Sequence, residues 1–178
     1  YQNFSEELSN IEFSTQNIEN LELEISKQEK ELKELAAKIT ESREDYAQVL
    51  SVLIQDKLTV LELPKAKFEI KITPKELGAN GADNVEFMIS TNVSEDLKPL
   101  AKVASGGEIS RVMLAIKSIF ATNDDIDTVI FDEIDTGISG KASQSVADEI
   151  VELSKSHQII IITHQAIIAS KADKHFYV

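Results

Sequence analysis

An uninterrupted seven-residue apolar repeat in the first third of the chain constrains its fold more than any other feature. Counting from residue 4, every seventh residue is apolar or aromatic: Phe4, Ile11, Ile18, Ile25, Leu32, Ile39, Tyr46 and Leu53. No Gly or Pro occurs before Pro64. A strict seven-residue repeat keeps one seam on one helix face and requires a partner helix to cover it. The repeat therefore predicts one long helix over residues 1 to about 62, forming half of a coiled coil.

The second seam of this helix is weaker, because its positions are only partly apolar. Leu8, Ala36 and Leu50 alternate there with polar or charged residues, namely Thr15, Glu22, Glu29 and Arg43. The sequence shows no obvious partner strand. A long helix of a helical bundle is the alternative, although helices of globular proteins usually run for about 8–20 residues.

In the next segment the apolar period changes from seven to two, which is typical of half-buried strands. The alternation over 66–72 predicts one strand, which Pro74 is expected to end. The alternation over 85–89 predicts a second strand, antiparallel to the first, with the Gly-containing stretch 78–83 as the turn. Residues 91–104 are predicted to form a loop.

The last third of the chain alternates helical segments with short, wholly apolar strands. We predict, in order, a helix over 107–121, a strand over 128–131, a helix over 141–156 and a strand over 159–162. Because both strands are apolar throughout, we expect them to be parallel and buried on both faces, with a right-handed crossover. Residues 176–178 are expected to begin a further strand.

Composition narrows the class of protein. The chain has 178 residues and a formal net charge of -13, which argues against broad, non-specific binding of phosphate backbones. The absence of Cys excludes disulfides, thiolate metal sites and a cysteine nucleophile. No apolar run approaches the roughly 20 residues of a membrane helix. The chain opens with Tyr1 and shows no signal peptide, so we expect a piece of a longer protein.

A Ser-Gly-Gly-Glu motif at Ser105, Gly106, Gly107 and Glu108 coincides with the start of a predicted helix. Ser105 is a favourable N-cap, and the two glycines let backbone approach a ligand without an intervening side chain. The N–H groups at a helix N-terminus favour an anion. A plain loop with a helix cap is the alternative, because Gly-rich turns before helices are common.

Acids and a histidine follow the two apolar strands. Asp132 and Glu133 come directly after the first strand, and Thr163 and His164 after the second. The carboxyl ends of parallel strands share one edge, where α/β proteins bind ligands. Asp132 suits Mg²⁺ there, and Glu133 can orient and deprotonate a water. The alternatives are a solvated strand end and a structural histidine.

The order of these motifs resembles the C-terminal half of an ABC-type ATPase head, and the heptad helix in front is similar to the SMC-like branch. Two stretches, 97–111 (LKPLAKVASGGEISR) and 131–140 (FDEIDTGISG), closely resemble the bacterial RecN family of DNA repair proteins. The resemblance covers about residues 58–178. It implies an α/β fold: the C-terminal lobe of an ABC-type, P-loop NTPase-like head with a short antiparallel β segment, over 63–178, preceded by a coiled-coil helix over 1–62.

The resemblance also implies roles for single residues. The signature loop, which caps ATP bound to the opposite head, is matched by Ser105, Gly106, Gly107 and Glu108, where many members have Gln for Glu108. The Mg²⁺-holding Walker B acid, the catalytic glutamate and the switch histidine are matched by Asp132, Glu133 and His164. The D-loop region is matched by Asp135, Thr136, Gly137 and Ser139, where many members have Asp for Ser139.

The chain lacks a G-x-x-x-x-G-K-[ST] phosphate-binding loop. In the family this Walker A loop lies in an N-terminal lobe, so the resemblance implies that lobe, a second head in an ATP-dependent homodimer and DNA as partners, and no membrane. The intact protein is expected to be an ATPase of double-strand-break repair and recombination, with ATP and Mg²⁺ as cofactors, in the bacterial cytoplasm at the nucleoid. The chain alone is expected to be inactive.

Other functions stay open at this point. Four lysines near the first strand suggest a DNA contact: Lys65, Lys67, Lys71 and Lys75. Glu69 interrupts them, and a solvated sheet face is the alternative. The chain could also be the head of another SMC-like chromosome-maintenance or repair ATPase, a transporter's nucleotide-binding subunit, or an inactive coiled-coil dimerisation module. The heptad helix argues against the transporter, and Glu133 with His164 argues against the inactive module.

Overall fold

The computed structural model describes residues 2–92, 95–103, 106–121, 125–138 and 140–177, with side chains from residue 13 onward. The chain forms two compact units. The helical unit comprises Tyr1–Glu44 with Ile72–Asn84, and the α/β unit comprises Asp45–Lys71 with Val85–Val178. The division of the sequence into residues 1–62 and 63–178 stays a prediction.

One long helix, α1, occupies Gln2–Val60, which confirms the helix predicted from the heptad repeat. Beyond it, Glu62 N donates to Thr59 O (3.2 Å) and Leu63 N donates to Leu58 O (2.9 Å). Glu62 has a φ of 60°, the left-handed conformation that Gly usually takes at this kind of helix end. These bonds satisfy two carbonyls that the end of a helix otherwise leaves unpaired.

Within the helical unit, the heptad seam of α1 faces solvent. More than two-fifths of each side chain is exposed at Ile18, Ile25, Leu32 and Ile39. The other segment of the unit contacts α1 through Asp83, which accepts hydrogen bonds from Thr40 Oγ1 (2.8 Å) and Arg43 Nη1 (3.0 Å). The described residues contain no second long helix to cover the seam, so the coiled-coil partner stays a prediction.

A three-stranded sheet consists of β1 (Lys67–Gly78), β2 (Gly81–Ser90) and β3 (Lys98–Pro99), in the order β1-β2-β3. β2 and β3 are antiparallel, with Met88 opposite Pro99. β1 and β2 are neighbours joined by two residues, a connection that only an antiparallel pair allows. The predicted hairpin is therefore present.

Three details of this hairpin region correct the predictions. Pro74 lies inside β1 instead of ending it, because β1 is an edge strand of the described sheet and an edge strand tolerates a residue without an N–H. The turn shortens to residues 79–80, since Gly81, with a φ of 89°, begins β2. The predicted loop over 91–104 contains β3 and a 3-10 turn over Leu100–Lys102.

The rest of the chain follows the predicted alternation of helices and strands. In order it comprises α2 (Gly106–Phe120), β4 (Thr128–Asp132), α3 (Lys141–Leu153), β5 (Gln158–Ile162) and the short helix α4 (Ala166–Ala169). β4 and β5 pair in parallel. The two predicted strands, the helix between them and their parallel pairing are confirmed, whereas α4 was not predicted.

The β4–β5 pair is covered on one face only. Phe131 of β4 is buried in a core that includes residues of α2 and α3. The alternate side chains of the two strands are 63%, 46% and 58% exposed: Ile130, Ile160 and Ile162. The expected burial on both faces is therefore wrong for this structure, because the described elements cover only one of them. Residues 176–177 form no strand, which corrects that expectation too, and Val178 lies outside the described residues.

Candidate functional site

The carboxyl edge of the β4–β5 pair brings together the acids and the histidine singled out in the sequence. Asp132 ends β4 and lies opposite Ile162, which ends β5, so Glu133 and the Thr163-His164 pair leave the sheet at the same edge. Asp132 and Glu133 are both exposed there. Glu133 has a φ of 56°, a left-handed conformation that costs a residue other than Gly about 1–2 kcal/mol.

The N-terminus of α2 lies against this edge. A Cβ atom added to Gly106 would overlap Glu133 Oε2. A Cβ added to Gly107 would come 2.9 Å from both the Cβ and the carbonyl oxygen of Thr136. The two glycines therefore permit a close approach between α2 and residues 133–136, and the positive end of the helix dipole favours the nearby Glu133 carboxylate.

Arg111 is a part of the site that the sequence analysis missed. It is 4% exposed, and its Nη1 donates to the carbonyl oxygens of Ile134 (3.2 Å) and Thr136 (3.0 Å). Burial lowers the pKa of Arg111 below its ordinary value. The ordinary pKa of arginine is so far above 7 that the guanidinium stays charged at neutral pH. The preceding residue, Ser110, donates from its Oγ to the Asp132 carbonyl (2.7 Å). An arginine on the buried face of an amphipathic helix is the signal that could have indicated it.

Asp135 connects the segment after β4 to the segment after β5. It is 1% exposed, and its Oδ2 accepts hydrogen bonds from Thr163 Oγ1, His164 N (3.0 Å) and Gln165 N (3.2 Å). His164 Nδ1 lies 3.3 Å from the same oxygen. Burial raises the pKa of Asp135, but the hydrogen bonds from Thr163 and His164 outweigh burial, so this pKa lies below its ordinary value.

Among the other predicted site residues, Glu108 lies in the first turn of α2. Gly137 has a φ of 76°, and a Cβ atom added there would meet nothing within 4 Å, so its backbone conformation and not crowding favours Gly. Ser105 and Ser139 lie outside the described residues.

The carboxylate of Asp132 is the predicted ligand for Mg²⁺. Within the described ranges, no group of three or more His, Asp or Glu side chains could hold a metal ion. Mg²⁺ commonly takes one or two protein carboxylates and completes its coordination with waters and substrate phosphates. The exposed Asp132 carboxylate fits such a site, in which the protein supplies only part of the coordination of the ion.

Comparison with known proteins finds relatives of the chain among DNA repair proteins. It is 40% identical, over 97% of its length, to the DNA repair protein RecN of Halalkalibacterium halodurans, and 39% identical, over 97%, to that of Bacillus subtilis strain 168. The chain belongs to the RecN family. It spans only 32% and 33% of the length of these two RecN proteins. No family model matches the chain.

Solved structures similar to this RecN-family chain are Smc head domains. The head domain with an extended coiled coil from Pyrococcus furiosus, bound to the C-terminal domain of ScpA, has a TM-score of 0.52 and 25% identity, covering 71% of this chain and 30% of that one. An Smc head bound to the C-winged helix domain of ScpA has a TM-score of 0.52 and 23% identity, covering 80% of this chain and 42% of that one. The predicted fold, a segment of an SMC-type head with a long N-terminal helix, is confirmed.

In the part of this RecN-family chain that the structure describes, each helix is too short or too polar to cross a membrane.

Proposed function

We propose that the chain is a segment of an SMC-like ATPase of DNA repair and recombination, and that its carboxyl sheet edge forms half of an ATP site. The observation that carries this proposal is the meeting of Glu133, the α2 glycines and the Asp135–His164 contact at one edge. The head of another SMC-like chromosome-maintenance ATPase is the alternative, and membership of the RecN family favours DNA repair.

In this proposal each residue at the edge has one task. Asp132 holds Mg²⁺, and the ion when bound supplies neutralisation of the phosphate charge. Glu133 orients the attacking water and accepts its proton. His164, whose side chain is 74% exposed, contacts the γ-phosphate. The exposure of Glu133 and His164 supports these tasks, because both groups are accessible to a ligand at the sheet edge.

The signature motif, Ser105 to Glu108, caps an ATP molecule held by a second head in this proposal, so two heads enclose two nucleotides. The N-terminus of α2 supports this assignment, since the N–H groups and the positive dipole end at a helix N-terminus attract phosphate. The Glu133 carboxylate lies close to Gly106, so the signature loop and the proposed catalytic residue are neighbours within one head.

The rest of the ATP site belongs to an N-terminal lobe that carries the Walker A loop. The exposed isoleucines of β4 and β5 support such a partner, because a wholly apolar parallel pair normally has cover on both faces. The chain by itself supplies no phosphate-cradling lysine loop. We therefore expect the isolated chain to hydrolyse no ATP.

In the same proposal, the intact protein binds DNA in the cytoplasm at the nucleoid. Its coiled coil transmits the ATPase cycle. The exposed seam of α1 supports the coiled coil. The DNA-contacting lysines are supported only by exposure, which holds at all four positions: Lys65, Lys67, Lys71 and Lys75. Changing all four to Glu should abolish DNA stimulation of ATP hydrolysis, and unchanged stimulation excludes these lysines as DNA contacts.

The decisive experiment measures ATP hydrolysis by the full-length protein, including its Walker A lobe, as wild type and as Glu133→Gln. We expect hydrolysis to fall by about 100-fold or more, since a general base contributes about that factor, while ATP-dependent dimers accumulate in light scattering. Glu86→Gln, at an exposed position of β2, is the matched control and should hydrolyse ATP at the wild-type rate.

Undiminished hydrolysis by Glu133→Gln would remove Glu133 from its assigned task. A full-length protein that binds no ATP and forms no ATP-dependent dimer would instead support the alternative of an inactive coiled-coil dimerisation module.

A further inference from the structure

The Asp135 carboxylate is the most completely buried acidic group in the described part of the chain, and the proposed chemistry gives it no task. Asp135 is 1% exposed, compared with 5% for Asp83 and 9% for Glu149. A buried carboxylate is costly unless several hydrogen bonds stabilise its charge. The hydrogen-bond partners of Asp135 therefore indicate which part of the structure its buried charge holds in place.

One oxygen of Asp135 holds three consecutive residues after β5. Thr163 Oγ1, His164 N and Gln165 N all donate to Oδ2. Gln165 N also donates to Thr163 Oγ1 at 3.0 Å, so the hydroxyl is itself oriented. The turn that carries His164 is thus built around a single carboxylate oxygen.

The same oxygen faces the imidazole of His164. Nδ1 lies 3.3 Å from Asp135 Oδ2, although most of the ring is exposed. A neutral imidazole that presents Nδ1–H to a carboxylate has Nε2 free as an acceptor. A carboxylate oxygen this close to Nδ1 favours the tautomer that is protonated at Nδ1, which leaves Nε2 of the exposed ring available to a ligand.

Asp135 is in turn held by α2. Arg111 Nη1 donates to the carbonyl oxygens on either side of it, those of Ile134 and Thr136. A continuous path of hydrogen bonds and covalent backbone thus leads from Arg111 through Asp135 to His164.

We propose that Asp135 is a positioning residue for His164, fixing both the backbone of its turn and the tautomer of its ring, and that Arg111 links this position to the signature helix α2. The proposal rests on the proposed function only in placing His164 at an ATP γ-phosphate. Asp135 acts through His164 and touches no substrate.

The first test needs no ATPase activity. In the ¹⁵N-histidine-labelled full-length protein, NMR at a pH well above the ordinary histidine pKa of about 6.5 should show His164 protonated at Nδ1. The signal is assigned by its loss in His164→Gln. Asp135→Asn should shift the ring toward the Nε2–H tautomer. A wild-type ring protonated at Nε2, unchanged in Asp135→Asn, overturns the proposal whether or not the protein is an ATPase.

The second test compares kinetics in the full-length protein. We expect Asp135→Asn to lower kcat by about 10- to 100-fold, by analogy with the loss of a hydrogen-bond partner behind a metal-ligating histidine, with KM for ATP unchanged. Thr163→Val, which removes one donor to Asp135, should give a smaller loss of kcat, and Thr163→Ser should restore it. Asp83→Asn is the matched control: it changes a buried aspartate of the helical unit with two side-chain partners and should leave kcat unchanged.

Equal kcat losses in Asp135→Asn and Asp83→Asn would show a general effect of destabilisation and overturn the positioning role. Should the full-length protein hydrolyse no ATP at all, the proposed function fails while the NMR result still decides the contact between Asp135 and His164.

Discussion

Lys57 Nζ lies 2.7 Å from Glu149 Oε1, which joins the last turn of α1 to α3 within the α/β unit. Glu149 is 9% exposed, whereas 31% of the Lys57 side chain is exposed. Ile54 and Leu58 of α1 belong to the same apolar core as residues of α3. The end of α1 is thus attached to α3 by charge as well as by apolar contact.

Removing Lys57 should therefore destabilise the chain more than removing an exposed lysine. We expect Lys57→Met to lower the free energy of unfolding by about 2–4 kcal/mol, because the buried Glu149 carboxylate loses its counter-charge. Lys155→Met, which breaks an exposed pair with Glu152, should cost less than about 1 kcal/mol. Urea unfolding measures both, and the double variant Lys57→Met/Glu149→Gln should recover part of the loss. Equal costs for the two lysines would contradict the importance of the buried pair.

The two glycines at the start of α2 should respond differently to a methyl group. Gly107→Ala should lower the free energy of unfolding by about 1–3 kcal/mol, since the Cβ meets the rigid backbone of Thr136. Gly106→Ala meets only the flexible end of Glu133, so stability should change little while the displaced carboxylate lowers ATP hydrolysis. Urea unfolding and ATPase assays separate the effects, with Gly78→Ala as the uncrowded control. The reverse order of stabilities would count against this geometry.

Arg111 should contribute to stability through the two carbonyl groups that it satisfies. Arg111→Met keeps much of the apolar stem but leaves the carbonyls of Ile134 and Thr136 without their donor, so we expect a loss of about 1.5–3 kcal/mol in urea unfolding. Arg111→Lys should retain part of this energy. Because the path through Asp135 connects Arg111 to residues 163–165, hydrogen exchange of the amides at 163–165 should also become faster in Arg111→Met. Unchanged stability in Arg111→Met would show that these two bonds contribute nothing net.

The lowered pKa of Asp135 predicts a specific pH dependence of stability. A carboxyl group whose pKa is lower in the folded than in the unfolded chain stabilises the fold above its ordinary pKa of about 3.9. That stabilisation is lost as the pH falls through the lowered folded-state pKa. The difference in unfolding free energy between wild type and Asp135→Asn should thus be largest near neutral pH and shrink below about pH 4. A difference that stays constant in urea titrations down to low pH would contradict the ionised, hydrogen-bonded Asp135.

Periodic patterns predicted most of the secondary structure. The helix α1 follows from the heptads, and the parallel pair β4–β5 follows from two wholly apolar runs around a helical segment. The end of β1 was predicted wrongly at Pro74, because local propensity carries no information about which strand lies at a sheet edge. Burial of both faces of β4 and β5 was predicted wrongly, since the described elements cover only one face of the pair.

The candidate site was predictable at the level of strand ends and less so at the level of contacts. Asp132, Glu133 and His164 could be brought to one edge because parallel strands place their carboxyl ends together. The bonds of Arg111 and Asp135 could not be predicted in this way, because they join residues 23 to 30 positions apart without any periodic signal.

The left-handed backbone at Glu133 affects how this position can change over generations. Gly or Asn would adopt a φ of 56° with less strain than Glu does. Selection for a robust fold alone would thus draw position 133 away from an acid, whereas selection for hydrolysis would retain one. Libraries screened only for thermal resistance should lose Glu133 early, and the resulting proteins would be more durable and less active.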